Sequence, residues 1–589
     1  MKKTQKTLLC SVMLVLILIG ISASSACAQY HADSTIQTMF SPPPAPVRQP
    51  AEFEPMQGAL IRYPFGISYD IIKEMAEDVN VVTIVASVSQ MNTVESQYQS
   101  HGINLSHCSY LIAPTDSYWT RDYGPWFIFN GNNEQGIVDF TYNRPRPNDD
   151  AIPGAYAANQ SLPLYFMSLQ HSGGNYMTDG QGIAISTTLV WEENPSYSHE
   201  QINQLVHDYL GITTYHVVPD VNGDLYIKHI DCWGKYLAPD VIMIRQVPPS
   251  HTQYNEIEAA VAYFKNQTSC YGTPYHVVRV YTPNDEPYTN SLILNNKVLM
   301  PIMGDQWDDD AIASYQVAMP GYEVLGFTGS WVSSDALHCR VMGITDRYML
   351  YIEHTPLLNQ TYNPQGYDIL AKIHPYSNQN LVPGSPVVYY RTSDDQWNTL
   401  PMQSLGNDQY KATIPSKPGG STVHYYINAQ DESGRSENHP YIGAPGAHTF
   451  TISGIPPNTP PEKPEKPTGT PSGKIKTTYT YSTSTTDPDG DNVFYTWDWG
   501  DETSSGWLGP FNSSVTVSVN HSWDKKGTYR IRVKAKDTNG AESNWSDPLS
   551  VTMPQNNMYI FSFKATIWLI LERWFPRLFS LLIQIRPGT

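Results

Sequence analysis

Cysteine is scarce in this chain of 589 residues, which contains six cysteines. Two of them fall in the N-terminal segment described below, so that four remain for the rest of the protein: Cys108, Cys232, Cys270 and Cys339. Four cysteines allow two disulfides in three different pairings, and counting alone does not say which of them are paired. The number is too small for a scaffold that is stabilised mainly by disulfides.

Basic residues are also few. The chain has 36 Lys and Arg against 55 Asp and Glu, which gives a formal net charge of −19. A nucleic-acid partner requires a basic surface that neutralises phosphates, so we expect no such partner. An acidic surface favours solubility, and it attracts cationic substrates.

Uninterrupted apolar runs long enough to span a membrane are missing as well. Residues 1–28 combine a basic start, an apolar run from Leu8 to Ile21 and a final A-x-A site, which is the order of a secretory signal peptide. The tail, residues 554–589, is apolar but interrupted by charged residues and a proline. We expect a secreted or cell-surface protein. The tail could associate with a membrane surface, serve as a sorting signal or pack on its own domain.

Changes in composition divide the chain into seven segments. The signal peptide (1–28) and a Pro-rich arm (29–50) precede a long α/β region (51–375), in which amphipathic helices at 199–211 and 253–267 alternate with short strand patterns such as 79–87 and 297–304. Short strands and turns then predict an Ig-like β-sandwich (376–455). A Pro-rich linker (456–473), a second small β-sandwich (474–553) and the tail (554–589) follow.

The second sandwich resembles a PKD domain over about residues 461–553. The resemblance rests on the turn DPDGD (487–491), the strand end WDWGD (497–501) and the strand GTYRIRVKAKD (527–537). Alternate carboxylates such as those of Asp487, Asp489 and Asp491 could bind calcium, but a solvated turn is the interpretation that we favour.

Three segments of the α/β region are richer in charged and aromatic residues than a core requires. The segment YWTRDYGPW (118–126) surrounds Asp122 with aromatic side chains, and TYNRPRPNDD (141–150) holds two arginines that an extended backbone would project to one side. If YIKHIDCWGKYL (226–237) is a strand, its alternation places His229 and Asp231 on one face. Singly, each has an ordinary explanation, such as a surface ion pair or a solvated Arg-Pro loop.

Together with ALHCRVMG (336–343), these motifs resemble the Porphyromonas-type peptidylarginine deiminase and agmatine deiminase family of the guanidine-modifying superfamily. The resemblance covers about residues 50–375 in six segments that follow the family's order. It implies a five-bladed α/β propeller with the active site on its axis, although five repeats are not visible in the sequence. The expected architecture is therefore an α/β propeller followed by two small β-sandwich domains. The six segments are PAEFEPMQGALIRYPFG (50–66), WTRDYGPW (119–126), SGGNYMTDG (172–180), HIDCWGKYL (229–237), PYTNSLILNN (287–296) and ALHCRVMG (336–343).

The resemblance also implies a set of site residues. A guanidinium is a planar cation that carboxylates hold in bidentate pairs, and attack on its carbon requires a thiolate. Two carboxylates should raise the pKa of that thiol, and a bound cation should lower it. The implied catalytic residues are Cys339 as nucleophile, His229 as acid and base, Asp122 and Asp231 as guanidinium ligands and Asn290 beside the thiol. The implied substrate-binding residues are Arg144, Arg146, Trp119 and Tyr226.

Cys339 must then remain a free thiol, which leaves at most one disulfide among the other three cysteines. We expect neither a metal nor a cofactor. His338 is next to the nucleophile in sequence, but neighbours on a strand face opposite ways, so we do not expect it in the site.

The expected function is conversion of peptidyl-arginine, preferably at a peptide's C-terminus, to citrulline and ammonia through a thiouronium intermediate on the cysteine. Arginine-containing peptides or proteins are the expected partners. The alternatives are a deiminase of agmatine or another small guanidine, a non-catalytic surface-binding protein and a cysteine peptidase. The peptidase requires an oxyanion hole, which two carboxylates at the thiol would oppose.

Overall fold

The computed structural model describes residues 41–221, 227–393, 395–454 and 458–554. The chain divides into two compact units, Met1–Ser453 and Gly454–Thr589. The expected signal peptide and nearly all of the expected tail lie outside the described residues. Within them, no helix is long and apolar enough to cross a membrane.

Five small sheets in the first unit share one pairing pattern, in which an antiparallel pair of strands is extended by a third strand in parallel. The first sheet has four strands because a second strand extends it in parallel. Its antiparallel pair consists of the first strand of the region and β16 (Met342–Thr345), so that this sheet joins the end of the region to its beginning. The strands are β1 (Met56–Arg62), β2 (Asn80–Val85) and β3 (Cys108–Ile112); β4 (Trp126–Phe129), β5 (Gln135–Tyr142) and β6 (Leu164–His171); β7 (Met177–Thr178), β8 (Ile183–Thr187) and β9 (Thr214–Val218); β10 (Gly234–Ala238), β11 (Val241–Gln246) and β12 (His276–Tyr281); β13 (Leu292–Leu294), β14 (Lys297–Ile302) and β15 (Glu323–Thr328).

The longer helices of this region connect the parallel strands, and their ends follow the local sequence. The helix predicted at 199–211 begins after Ser198, whose side chain and that of Gln201 form a capping box, and it ends at Gly211, where φ is +73°. The helices are α1 (Tyr69–Asp78), α2 (Val88–Ser100), α3 (Thr120–Tyr123), α4 (Pro147–Asp150), α5 (Ile152–Gln160), α6 (Leu189–Glu193), α7 (His199–Leu210), α8 (Tyr254–Lys265), α9 (Asp308–Ala318) and α10 (Leu337–Arg340).

A β-sandwich completes the first unit. One sheet has the order β17-β19-β23-β22, and the other has the order β18-β26-β24-β20-β21 with β25 paired to β24. Three strands before the expected boundary at residue 376 thus belong to the sandwich. The strands are β17 (Leu350–Glu353), β18 (Gln360–Thr361), β19 (Tyr367–Pro375), β20 (Val387–Thr392), β21 (Asn398–Pro401), β22 (Gln403–Gly406), β23 (Gln409–Ile414), β24 (Thr422–Gln430), β25 (Ser436–His439) and β26 (His448–Ser453).

The second unit is a smaller sandwich built around buried Trp497 and Trp523. In the acidic turn, Asp487 accepts backbone N–H bonds from Asp489 and Asp491. No group of three or more His, Cys, Asp or Glu suited to a metal ion occurs among the described residues. The strands are β27 (Thr468–Gly469), β28 (Tyr479–Thr483), β29 (Val493–Asp498), β30 (Leu508–Phe511), β31 (Val517–His521), β32 (Gly527–Asp537) and β33 (Leu549–Met553).

Candidate active site

Cys339 lies in the four-residue helix α10, immediately before β16, and its side chain is fully buried. The side-chain amide of Asn290 contacts it twice: Nδ2 lies 3.3 Å from the sulfur, and Oδ1 accepts the Cys339 N–H at 3.3 Å. The sulfur also lies 3.7 Å from Oδ2 of Asp231. A polar amide and a carboxylate therefore face the thiol in a site that is closed to bulk water.

The strand predicted over residues 226–237 does not extend to the two polar residues that motivated it. His229 has an extended backbone, Ile230–Cys232 form a single 3-10 turn, and β10 begins only at Gly234. The prediction that alternation places His229 and Asp231 on one strand face is therefore wrong. A tight turn instead brings both side chains to the site, and the buried sulfur of Cys232 lies 3.7 Å from the other carboxylate oxygen of Asp231.

Asp122 and His229 form the other side of the site. Asp122 lies in the short helix α3, and its Oδ1 is 3.6 Å from Nδ1 of His229. The backbone N–H of Gly174 donates to the same Oδ1 at 3.2 Å. Neither ring nitrogen of His229 has a hydrogen-bond partner among the described residues, although the ring is fully buried. A buried imidazole in that condition is suited to a hydrogen bond with a bound molecule.

Gly174 is a site residue that the sequence motif contained but did not single out. A Cβ on Gly174 would lie 2.6 Å from His229 Nδ1, 2.7 Å from Asp122 Oδ1 and 3.1 Å from Asp231 Oδ2. Because real Cβ atoms essentially never approach so closely, only glycine allows these three groups to converge. The sequence does not show this close packing, because the three groups come from segments that are distant from Gly174 in the chain.

The two carboxylates differ in charge state. Burial raises the pKa of Asp122 to about 7, and repulsion from Asp231 adds to the shift. Burial acts in the same direction on Asp231, but the hydrogen bond and charge of His338, with smaller contributions from His229 and Arg121, hold the pKa of Asp231 below its usual value. At neutral pH the site therefore contains one permanently ionised carboxylate and one that readily exchanges a proton.

The thiol and the imidazole are both neutral in this environment. Burial, reinforced by the negative charges of Asp231 and Asp122, raises the pKa of Cys339 well above that of an ordinary thiol. Burial lowers the pKa of His229 to about 4, against the opposing attraction of Asp231. A cation placed between the carboxylates would reverse the repulsion that keeps the thiol protonated.

His338, which sequence reasoning excluded, is in contact with the site. Residues 337–340 form a helical turn and not a strand, so the alternation argument does not apply to them. Nδ1 of His338 lies 2.8 Å from Asp231 Oδ2, and Nε2 lies 2.6 Å from Oε2 of Glu52. Glu52 was part of the motif PAEFEP but was not identified as a site residue. Only the tertiary structure shows that segments 286 positions apart meet here.

Of the two arginines predicted to bind substrate, Arg146 lies in an aromatic setting and Arg144 lies near a carboxylate. The guanidinium carbon of Arg146 is 4.3 Å from the ring centroid of Trp119, and its Nη1 donates to the Tyr142 hydroxyl at 3.1 Å. Arg144 lies 3.9 Å from Glu193. Tyr226, the other predicted substrate ligand, lies outside the described residues. All four described cysteines are unpaired thiols.

Comparison with known proteins adds a family context to this geometry. A family model described as Porphyromonas-type peptidyl-arginine deiminase matches residues 48–343, just over half of the chain. A PKD domain model matches residues 461–553. All the residues placed in the site above lie within the first match.

Individual relatives match part of this chain at low identity. The agmatine deiminase of Pseudomonas putida is 24% identical in an alignment 303 residues long, which covers 44% of this chain and 81% of that protein. The agmatine deiminase of Medicago truncatula is 24% identical in an alignment 318 residues long, which covers 44% of this chain and 82% of that protein. A solved structure of the agmatine deiminase of Enterococcus faecalis covers 51% of this chain and 96% of its own, with 20% identity and a TM-score of 0.46.

Proposed function

Because the chain belongs to the Porphyromonas-type peptidyl-arginine deiminase family, we propose that it hydrolyses the guanidine group of arginine in peptides, giving citrulline and ammonia. The observation that carries the proposal is the buried sulfur of Cys339, 3.7 Å from Asp231 and 3.3 Å from the Asn290 amide, in a site that also contains Asp122 and His229. This set combines a nucleophile, a base and anions for a planar cation.

Substrate capture is the first step. The guanidinium lies between Asp122 and Asp231 and donates to both carboxylates. Its positive charge offsets the repulsion between them, so that Asp122 releases its proton and the pKa of the Cys339 thiol falls. The reactive thiolate thus forms chiefly when a guanidinium is present, and the enzyme without substrate carries an inert thiol.

Chemistry then proceeds in two halves. Neutral His229 accepts the thiol proton as the sulfur attacks the guanidinium carbon, and it passes that proton to the departing nitrogen as the C–N bond breaks and ammonia leaves. In the second half, His229 takes a proton from water, whose oxygen attacks the thiouronium carbon. The C–S bond breaks, His229 returns its proton to the sulfur, and the hydroxyl group loses the second water proton to solvent, so that neutral citrulline is released.

Arg144, Arg146, Trp119 and Tyr226 are the proposed contacts for the rest of the substrate. Permanent cations near a site for another cation favour a substrate that also carries an anion, and the α-carboxylate of a C-terminal arginine supplies one. We therefore propose a preference for peptides that end in arginine. The relatives named agmatine deiminase favour a second candidate, a small guanidine substrate that lacks this carboxylate.

Three substrates separate these candidates: a peptide that ends in arginine, the same peptide with an amidated C-terminus, and agmatine. We expect ammonia release to be fastest with the free carboxylate, and we expect Arg146→Ala to remove most of that preference. Equal rates of ammonia release from the free-acid peptide and the amidated peptide would exclude the proposed contact between the two arginines and the α-carboxylate. Faster turnover of agmatine would favour the small-guanidine function. Mass spectrometry of the product peptide distinguishes deimination from backbone cleavage.

The proposal extends to the setting of the enzyme. The signal-like N-terminus and the appended sandwiches support export to the cell exterior, where the tail would hold the protein at the surface. The five sheets with one pairing pattern, joined by β16 and β1, support a five-bladed propeller with the site on its axis. Detection of activity in the culture medium or on washed cells tests the location.

A further inference from the structure

The imidazole of His338 lies between two carboxylates, that of buried Asp231 and that of half-buried Glu52. Nδ1 is 2.8 Å from Oδ2 of Asp231, and Nε2 is 2.6 Å from Oε2 of Glu52. The ring is 3% exposed, so water does not replace either contact. Carboxylates that are ionised only accept hydrogen bonds, and a neutral imidazole has a single N–H to donate.

Glu52 is held in its ionised form by several donors. Its Oε1 accepts from Nζ of Lys235 at 2.8 Å and from the backbone N–H of Ile293 at 2.8 Å, and its Oε2 accepts from Arg121 at 2.7 Å. Burial would raise the pKa of Glu52, but the charges of Lys235, His338 and Arg121 outweigh it and hold that pKa well below the usual value. Glu52 therefore accepts a hydrogen bond from Nε2 of His338 and does not donate one.

With an ionised acceptor on each side, the ring satisfies both contacts when it donates from both nitrogens. The Asp231 oxygen that accepts from His338 is Oδ2, the same oxygen that lies 3.7 Å from the sulfur of Cys339. Asp122, the other carboxylate of the site, instead accepts from the N–H of Gly174 and lies 3.6 Å from His229. This difference in partners explains why the two carboxylates of one site carry different charge.

We infer that His338 is a positioning residue of the proposed deimination: held by Glu52, it keeps Asp231 negatively charged and fixes the carboxylate oxygen that faces the sulfur of Cys339. The inference rests on the proposed function, because the guanidinium-binding role of Asp231 is part of that proposal. The charged and titratable groups that surround His338 are Asp231, Glu52, Lys235 and Arg121, with His229, Asp122 and Cys339 beyond Asp231.

The first test compares His338→Gln and Glu52→Gln with a matched control, His216→Gln. His216 is also a buried histidine of the first unit, and its Nδ1 is hydrogen-bonded to the hydroxyl of Tyr263 at 2.9 Å. We expect kcat/KM to fall about 10- to 100-fold in the first two variants, the range for loss of a hydrogen bond to a charged group, with KM raised. Below pH 7, kcat/KM should fall more steeply with pH in these two variants than in the wild type, because Asp231 is then protonated more easily and adds its loss to that of Asp122. His216→Gln should keep the wild-type KM and pH profile.

A loss of folding alone would lower the active fraction and leave KM and the pH profile unchanged, so that outcome in both variants would overturn the inference. Nitrogen-15 NMR of histidine-labelled Cys339→Ser protein gives a test that requires neither activity nor a stable His338 variant. Two ring nitrogens of one histidine, identified by their loss in Glu52→Gln or His338→Gln protein, should both show the signals of hydrogen-bonded N–H groups. If no histidine of the folded protein donates from both ring nitrogens, the inference fails. If wild-type protein releases no ammonia from any guanidine, the proposed function fails instead, and the NMR result still stands.

Discussion

The sulfur of Cys339 lies 3.7 Å from Oδ2 of Asp231, and both side chains are almost completely buried. A thiol beside an ionised carboxylate is held protonated, and the same carboxylate attracts the cation that would activate it. In the proposed mechanism, this one contact therefore both suppresses the reactivity of Cys339 and prepares its activation. The reactivity of Cys339 should therefore depend on the charge of the reagent that reaches it.

A haloacetamidine, which is cationic, should alkylate Cys339 at least tenfold faster than iodoacetamide, which is neutral and of similar size. The amidinium can lie between the carboxylates and lower the pKa of the thiol, whereas the neutral reagent meets a buried thiol of raised pKa. Peptide mass spectrometry after timed labelling measures both rates. Half-buried Cys108 is the internal control and should show no such selectivity. Equal selectivity at both cysteines would contradict the prediction.

Asp122→Asn should abolish turnover and yet stabilise the fold at alkaline pH. The pKa of Asp122 is raised to about 7 in the folded protein, above that of an unfolded Asp. Ionisation of Asp122 as the pH rises therefore favours the unfolded state. The resulting loss in free energy of unfolding grows between about pH 4 and pH 7. We expect the variant to gain about 1–4 kcal/mol in free energy of unfolding at pH 8, with a smaller gain near pH 5. Urea unfolding of both proteins at the two pH values measures the free energy of unfolding and shows whether the variant is the more stable protein.

In the wild-type enzyme the same group predicts a pH dependence of activity. If Asp122 must be ionised to hold the guanidinium, kcat/KM should fall tenfold per pH unit below about pH 7. The profile of kcat should extend to lower pH, because bound guanidinium keeps Asp122 ionised. Identical acid limbs in kcat and kcat/KM would show that another group controls the profile.

Gly174→Ala should inactivate the enzyme without unfolding it. The added methyl would lie within 3.1 Å of polar atoms of His229, Asp122 and Asp231, so these groups must separate. We expect kcat/KM to fall at least 100-fold, since small misplacements of catalytic groups have effects of this size. Gly154→Ala is the matched control: it lies in α5, where a Cβ meets only Leu164 at 3.7 Å, and it should keep full activity. Activity above a tenth of wild type in Gly174→Ala would refute the packing argument.

Preference for C-terminal arginine should weaken as the pH rises. Glu193 lies 3.9 Å from Arg144, and burial raises the pKa of Glu193 to about 7. Above that pH an ionised Glu193 competes with the substrate's carboxylate for Arg144. The ratio of kcat/KM for the acid and the amide peptide should therefore be larger at pH 6 than at pH 8. Glu193→Gln should remove this change, and a ratio that still depends on pH in that variant would assign the effect elsewhere.

Local structure was largely predictable because it depends on neighbours along the chain. The amphipathic spacing of residues 199–211, with Ser198 before it and Gly211 after it, predicts the helix His199–Leu210 almost to the residue. Alternation misled the prediction at residues 229–233, where a 3-10 turn replaces the expected strand. A periodicity of two over five residues does not distinguish a strand from an extended residue followed by a turn.

The sequence by itself determined which chemical groups the protein possesses: the thiol of Cys339, the imidazole of His229, the carboxylates of Asp122 and Asp231, and the motifs that mark their family. Only the tertiary structure decided that Glu52 and His338 join them, that Gly174 leaves room for them, and that one carboxylate is ionised while the other exchanges a proton. The physical reason is that burial and charge interactions depend on distances between segments that are far apart in the chain. Such distances leave no periodic pattern in the sequence.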